Sequence, residues 1–124
     1  MTESTEPRRG EIWLVSFGAA RRGEPGKNRP AIVVSVDDLL VGADHELIVV
    51  VPLSSSLSRS ALRPRLGPDT GIDADSAAIP RAIRGVARRR LLRRLGEASA
   101  ETLAGVEAVL ATVLDLDRPV ASST

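Results

Sequence analysis

Two short apolar runs, PAIVVSV at residues 30–36 and LIVVVPL at residues 47–53, decide the fold class of this 124-residue chain. Both runs are rich in Val and Ile and are bounded by turn-forming or polar residues, which is typical of buried strands. Pro52 stands near the end of the second run, where a missing backbone N–H is tolerated. We therefore predict that both runs form central strands of a sheet.

Weaker patterns predict further strands on either side of this pair. Residues 10–17 (GEIWLVSF) are typical of a strand with both faces partly covered. Residues 62–67 predict an edge strand, because Pro64 cannot donate a ladder hydrogen bond. Residues 75–86 contain two short apolar stretches around Pro80 and predict one further strand with a bend. Strands that follow one another without intervening helices favour an antiparallel sheet.

A single amphipathic helix is predicted after Glu97. Ser99 suits the N-cap, and Glu101 suits the first turn, where its charge interacts favourably with the helix dipole. Gly105 inside this helix costs about 1 kcal/mol relative to Ala. The predicted apolar face consists of Leu103, Val106, Leu110, Val113 and Leu114. The fold class that follows is a small, mainly β, antiparallel domain with one C-terminal amphipathic helix.

The chain ends and connections complete this prediction. Residues 1–8 are polar and aperiodic and predict a disordered arm, and residues 118–124 predict a flexible tail. A single domain then spans residues 9–117. Residues 18–28 are rich in Gly and predict a long exposed loop, and residues 88–92 predict one helical turn.

The charge is distributed unevenly, although the formal net charge is only +1. Residues 59–94 contain ten Arg and three acidic residues, a local excess of +7, whereas residues 96–117 contain five acidic residues and no basic one. The basic block predicts an anionic partner, and the acidic segment predicts a solvated helix face. A GC-rich coding sequence is the alternative source of so many Arg residues.

Composition argues against several kinds of chemistry. The chain has no Cys and one His, His45, so thiol catalysis, disulfides, thiolate or paired-His metal sites and a Ser/His triad lack support. Neighbouring carboxylates such as Asp37 and Asp38 are typical of turns. We therefore expect neither a metal nor a cofactor. No apolar run approaches the roughly 18 residues of a membrane span, and the start MTESTEPRRGE lacks a signal-peptide core, so we expect a cytoplasmic protein without membrane contact.

Arginine and hydroxyl groups remain as candidates for chemistry. Arg29 directly precedes the first central strand, and Pro30 biases it toward extended geometry. Ser54 directly follows the apolar run of the second central strand. Antiparallel pairing would bring opposite strand ends together, whereas in a small closed barrel both residues would still reach one cleft, and spacing alone does not decide. Taken singly, Arg29 is more typical of a surface side chain and Ser54 of a turn.

Six segments carry a further signal through their order and spacing. They are RGEIWLV (9–15), GxPGKxRPAIVVS (23–35), VVVPLSS (49–55), IRxVxxxRL (83–91), LG (95–96) and VLDL (113–116). This series resembles the MazF/PemK toxins of toxin–antitoxin systems, over nearly the whole stretch from residue 8 to residue 116.

The resemblance implies an SH3-like antiparallel barrel that works as a homodimer. It further implies a metal-independent, sequence-selective endoribonuclease that cleaves single-stranded RNA by attack of the 2′-hydroxyl. A cognate MazE-like antitoxin, often with an extended acidic tail, would inhibit the enzyme and bind DNA together with it. Two alternatives stay open: a non-catalytic toxin that binds gyrase, as the related CcdB toxins do, and a decayed module that binds RNA or antitoxin.

The resemblance also implies roles for particular residues. The family's catalytic Arg falls on Arg29, its catalytic hydroxyl on Ser54, where Thr is usual, and its acidic residue on Glu24. A Gln that often precedes Ile-Arg in the family is Ala82 here. A guanidinium offers a fixed fork of donors that matches a phosphate, which suits Arg29 to stabilising charge on the phosphoryl oxygens.

An RNA substrate, as the resemblance implies, would give the basic residues a role in binding the RNA backbone. Trp13 and Phe17 are the only aromatic residues, so Arg planes and base-edge hydrogen bonds would have to read the bases. The predicted RNA-binding residues are Lys27, Arg59, Arg63, Arg65, Arg81 and Arg84. For the Arg residues of 88–94, a solvated helical turn or a contact between subunits is an equally good interpretation.

Overall fold

The computed structural model describes residues 6–18, 28–37, 40, 46–55, 60, 62–72 and 74–116. These residues form seven strands and one α-helix. The elements are β1 (Glu11–Ser16), β2 (Asn28–Val33), β3 (Leu47–Ser54), β4 (Arg65–Leu66), β5 (Ser76–Ala78), β6 (Arg84–Ala87), β7 (Leu91–Glu97) and α1 (Ala100–Val113).

Every strand pairing is antiparallel, and the strands follow the order β4-β5-β3-β2-β1-β7, with β6 also paired to β3. The two apolar runs are the central strands β2 and β3, as predicted. β5 and β6 both pair with β3 and are separated by a 3₁₀ turn at Pro80–Ala82. The predicted single strand with a bend at Pro80 is therefore two short strands. The predicted edge strand is confirmed as β4, which is reduced to two residues.

Residues 88–92 correct one prediction. Only Arg88–Arg90 form a helical turn, and Leu91–Glu97 is a strand that the sequence pattern did not indicate. β7 pairs with β1 through two register irregularities, and most of its side chains are exposed. Two bulges and an exposed edge remove the strict alternation that would mark a strand.

The ends of β2 also differ from the prediction. β2 begins at Asn28, one residue inside the predicted loop, and ends at Val33. Beyond it, Val34 N donates to Val49 O at 3.0 Å, and Val49 N donates to Ser35 Oγ at 2.7 Å. The Ser35 hydroxyl thus takes the place of a main-chain acceptor where the regular pairing stops.

Helix α1 begins as predicted, because Ser99 Oγ accepts a hydrogen bond from Thr102 N at 3.0 Å. Val106 and Val109 are its buried residues. The apolar face is shorter than predicted, since Val113 and Leu114 are 39% and 52% exposed. The last helical turn therefore lies beyond the core.

The sheet has apolar side chains on both faces. One cluster joins Ile12, Ile32 and Val51 to Val106 of α1, so the helix covers this face. A second cluster on the opposite face includes Trp13 and Val33. β2 and β3 contribute to both clusters, which explains their continuous apolar sequence.

A close backbone contact curls the sheet. The turn after β4 meets β7, where a Cβ placed on Gly96 would overlap the Thr70 carbonyl oxygen and one placed on Gly71 would overlap the Leu95 carbonyl oxygen. Gly71 also has φ of +96°, a conformation that other residues rarely adopt. The far ends of the sheet therefore approach each other only because both positions are Gly, and the result is a curled half-barrel.

Candidate active site

The antiparallel pairing of β2 and β3 settles how Arg29 and Ser54 are arranged. Ala31 pairs with Pro52, and continuing that register by two residues places Arg29 opposite Ser54. Both residues line one cavity of about 340 Å³. The structure therefore brings together the two groups that spacing alone left unplaced.

Both apolar and polar side chains line the cavity. Pro30, Leu53 and Ile72 provide apolar surface, and Arg29 provides the charge. The hydroxyl-bearing residues of the lining are Ser54, Ser55 and Ser76. Such a lining suits a ligand with an apolar plane and an anionic group, and the volume is at the lower end of the roughly 300–1,000 Å³ typical of ligand pockets.

The two central groups are accessible to a ligand. Arg29 is exposed and Ser54 is half-buried. Among the described residues, no carboxylate forms a salt bridge with the Arg29 guanidinium. The β2–β3 pairing supports both residues from behind, because the strands continue into the buried core. An Arg fork on a rigid strand end is well placed to bind a phosphate.

Arg65 lies in the same cross-strand row as this pair. Arg65 pairs with Ala77, and Ala77 pairs with Ser54. Directly opposed residues of paired strands project from the same face. The row Arg65, Ala77, Ser54 and Arg29 thus places a cation on each side of the hydroxyl, with only a small side chain between Arg65 and Ser54.

The other predicted RNA-binding residues are more scattered. Arg84 pairs with Val50, which lies on the face of Ser54, and its guanidinium stands 5.2 Å from the centre of the Phe17 ring. Arg81 lies in the 3₁₀ turn Pro80–Ala82, which contacts α1. Arg63 is half-buried in the segment before β4. Glu24, Lys27 and Arg59 lie outside the described residues.

Several Arg residues between 88 and 94 form ion pairs or hydrogen bonds with other segments of the chain. Arg88 contacts Glu6 at 2.5 Å, and Arg90 Nη1 donates to Ser16 O at 3.3 Å. Arg94 Nε donates to Glu11 Oε2 at 2.7 Å. These three Arg residues therefore form contacts within this chain. The sequence pattern predicted either a solvated turn or a contact between subunits, and it did not predict these internal contacts.

Sequence reasoning missed the far wall of the cavity. Ile72, Ala74 and Ser76 come from β5 and the segment before it, about twenty residues beyond Ser54. Ser76 is 7% exposed, and its Oγ donates to Ala74 O at 3.2 Å. No motif marks these residues, because only the pairing of β5 with β3 brings them to the site.

Two further properties concern the described residues only. They contain no group of three or more His, Asp or Glu side chains placed to hold a metal ion. No helix among them is long and apolar enough to cross a membrane.

Comparison with known proteins identifies the family to which this chain belongs. The family model described as "PemK-like, MazF-like toxin of type II toxin-antitoxin system" matches residues 8–114. Endoribonuclease MazF9 of Mycobacterium tuberculosis (strain ATCC 25618 / H37Rv) is 39% identical over 114 residues, which cover 88% of this chain and 97% of that protein. The chain therefore belongs to the PemK-like, MazF-like toxin family of type II toxin–antitoxin systems.

Solved structures show the same fold. The crystal structure of MazF (Form-I) from Deinococcus radiodurans superimposes with a TM-score of 0.76 at 24% identity, covering 90% of this chain and 99% of that one. An endoribonuclease in complex with its cognate antitoxin from a mycobacterial species superimposes with a TM-score of 0.73 at 21% identity, covering 91% of this chain and 99% of that one. The predicted fold class is thus confirmed.

Proposed function

We propose that this toxin is a metal-independent endoribonuclease that cleaves single-stranded RNA at selected sequences. The observation that carries the proposal is the placement of Arg29 opposite Ser54 at one cavity. Family membership and the 39% identity to Endoribonuclease MazF9 support the reaction class.

RNA supplies its own nucleophile for this reaction. The 2′-oxygen attacks the adjacent phosphorus and loses its proton, while the P–O5′ bond breaks and the 5′-oxygen gains a proton. The products are a 2′,3′-cyclic phosphate and a 5′-hydroxyl. The protein must align the backbone, assist the proton transfers and stabilise the charge on the phosphoryl oxygens.

The residues of the site divide these tasks. The Arg29 guanidinium stabilises the charge on the phosphoryl oxygens through its paired donors, and the Ser54 hydroxyl donates a hydrogen bond to the scissile phosphate. Glu24 is the proposed proton acceptor or orienting group for Arg29. Arg65 and Arg84 extend the same face and bind flanking phosphates. The further proposed RNA-binding residues are Lys27, Arg59, Arg63 and Arg81.

The proposed partners follow the same family relationship. We place the active enzyme as a homodimer in the cytoplasm, where its RNA substrates are. A MazE-like antitoxin inhibits it, as the antitoxin complex of the mycobacterial relative suggests. A basic site suits an acidic antitoxin segment as well as it suits RNA.

The test is cleavage of a long RNA in excess EDTA, with mapping of the product ends. We expect discrete cuts with cyclic-phosphate termini for the wild-type protein. Arg29→Ala should reduce the cleavage rate by at least about 10²-fold, because the main stabiliser of the phosphoryl charge is gone.

Arg89→Ala is the matched control, because it removes an exposed Arg outside the cavity and should cleave as the wild type does. Intact RNA at high wild-type concentration would overturn the proposal. Cleavage that persists unchanged in Arg29→Ala would move the active site elsewhere.

A further inference from the structure

Arg93 is an exposed cation in the basic segment 88–94. The sequence offered the same interpretations for every Arg of this segment, namely a solvated helical turn or a contact between subunits. The structure places it in strand β7, where it pairs directly with Leu14 of β1. Leu14 in turn pairs with Pro30 of β2. Because directly opposed residues share a face, Arg93, Leu14 and Pro30 form one cross-strand row.

This row runs into the cavity. Pro30 lines the cavity, and so does Leu53. Leu53 lies opposite Pro30 when the β2–β3 register is continued by one residue. Neighbouring strands lie about 4.8 Å apart, so the Arg93 backbone is about 10 Å from Pro30. An RNA strand covers that distance within a few nucleotides.

Arg94, the next residue, has the opposite orientation. It pairs with Trp13 on the other face of the sheet, which is the face of Arg29 and Ser54, and its guanidinium contacts Glu11 at 2.7 Å and Glu97 at 3.8 Å. Among the described residues, no carboxylate forms a salt bridge with Arg93. Two adjacent Arg residues thus differ in role: one is held by carboxylates, and the other extends the cavity wall with a charge available to a ligand.

We propose that Arg93 binds a phosphate of the RNA substrate next to the nucleotide held in the cavity. This inference rests on the proposed function and adds a contact on the side of β1 and β7, on the sheet face of Pro30 and Leu53, whereas Arg65 lies on the face of Arg29 and Ser54. Leu14 and Pro30 provide an apolar surface between Arg93 and the cavity, against which a ribose or base can lie.

Arg93 is a substrate-binding residue and not a catalytic one, so its signature is the salt dependence of binding. Each phosphate neutralised on a single strand contributes about −0.7 to the slope of log K against log salt concentration. The probe is a mixed-sequence RNA oligonucleotide with 2′-O-methyl riboses, which retains the phosphates and cannot be cleaved. Its dissociation constant is measured over a range of KCl concentrations.

For Arg93→Gln we expect weaker binding by about 3- to 10-fold at low salt and a slope shallower by about 0.7. Arg93→Lys should restore the slope, because the charge is kept. The matched control is Arg94→Gln, which should leave the slope unchanged even where thermal denaturation shows a loss of stability.

Three outcomes would overturn the inference. Arg93→Gln could match the wild-type slope, Arg94→Gln could lower the slope equally, or Arg93→Gln could weaken binding of poly-L-glutamate while leaving the oligonucleotide unaffected. The last result would make Arg93 a contact for an acidic polypeptide. Cleavage of RNA by the wild-type protein in EDTA is assayed separately, so a failure of the proposed function is distinguishable from a failure of this one contact.

Discussion

The proposed catalytic hydroxyl is that of Ser54, a position at which the family resemblance implies Thr. Ser keeps the oxygen but lacks the methyl group that restricts the χ1 rotamer. The residue is half-buried at the end of β3, and it stands opposite Arg29 when the β2–β3 register is continued. In the proposed role, Ser thus supplies the same hydroxyl as Thr, and its positioning depends on the strand ends.

This arrangement leads to a prediction for Ser54. Ser54→Ala should lower kcat by roughly 10²-fold, because a donor to the charged phosphoryl oxygens is lost in the transition state. Binding of a 2′-O-methyl oligonucleotide should change far less, since Arg29 and the other cations remain. Single-turnover cleavage and equilibrium binding are measured on the same preparations.

Two further variants control this experiment. Ser54→Thr should cleave at least as fast as the wild type, because the methyl group narrows the rotamer choice. Thr112→Ala removes a hydroxyl that donates to Ala108 O on helix α1, away from the cavity, and should change neither quantity. An equal loss of kcat and of affinity in Ser54→Ala would show that the hydroxyl contributes only to binding.

Single residues of the site were predictable only where a motif marked them. Arg29 and Ser54 follow from the motifs around the two apolar strands, but their contact with one cavity follows from the register of β2 and β3. Ser76 carries no local signal, because its place in the site depends on a pairing between segments distant in sequence. Arg93 was assigned with its basic neighbours, since sequence does not reveal which face of an irregular edge strand a residue occupies.

Among the strands and the helix, the buried elements could be predicted from the sequence, and the exposed edge strand β7 could not. β3 is buried on both faces, and its continuous apolar run predicts a strand. The N-cap residue of α1 and the three- and four-residue spacing of its apolar residues predict a helix. β7 lies at the edge, carries two bulges and exposes its Arg side chains, so its composition indicates no strand. Edge strands are specified mainly by their partner, which here is β1.

Two Gly residues allow a test of how β7 is held. Gly96→Ala should destabilise the protein by about 2 kcal/mol or more, because the new Cβ would overlap the Thr70 carbonyl oxygen and separate the turn from β7. Gly105→Ala should instead stabilise it by up to about 1 kcal/mol, since the position is helical and the new Cβ would lie 3.9 Å from Pro64.

Urea denaturation of both variants measures the two free energies of unfolding. The pair is matched, because each variant adds one methyl group to a Gly without changing charge. If Gly96→Ala were as stable as the wild type, the backbone contact between the turn and β7 would not be what curls the sheet. If Gly105→Ala were destabilising, α1 would pack more closely on the β4 segment than the Pro64 distance indicates.

At the scale of the whole molecule, the net charge of +1 conceals a separation of charge. Arg29, Arg65 and Arg84 share one face of the sheet at or near the cavity. The exposed acids Glu101, Glu107 and Asp115 lie on or directly after α1. This face therefore presents a local positive field to an anionic ligand, which the total charge does not reveal.

This separation predicts how binding responds to salt. Four phosphate contacts, from Arg29, Arg65, Arg84 and the proposed Arg93, give a slope of about −2.8 for log K against log salt on a 2′-O-methyl oligonucleotide. Arg65→Gln should make the slope shallower by about 0.7, because one contact is lost. Glu101→Gln changes the net charge by one unit in the opposite sense, yet it should leave the slope unchanged, since the first turn of α1 contributes no phosphate contact. If the two variants shifted the slope by equal and opposite amounts, overall charge rather than the Arg residues beside the cavity would govern RNA binding.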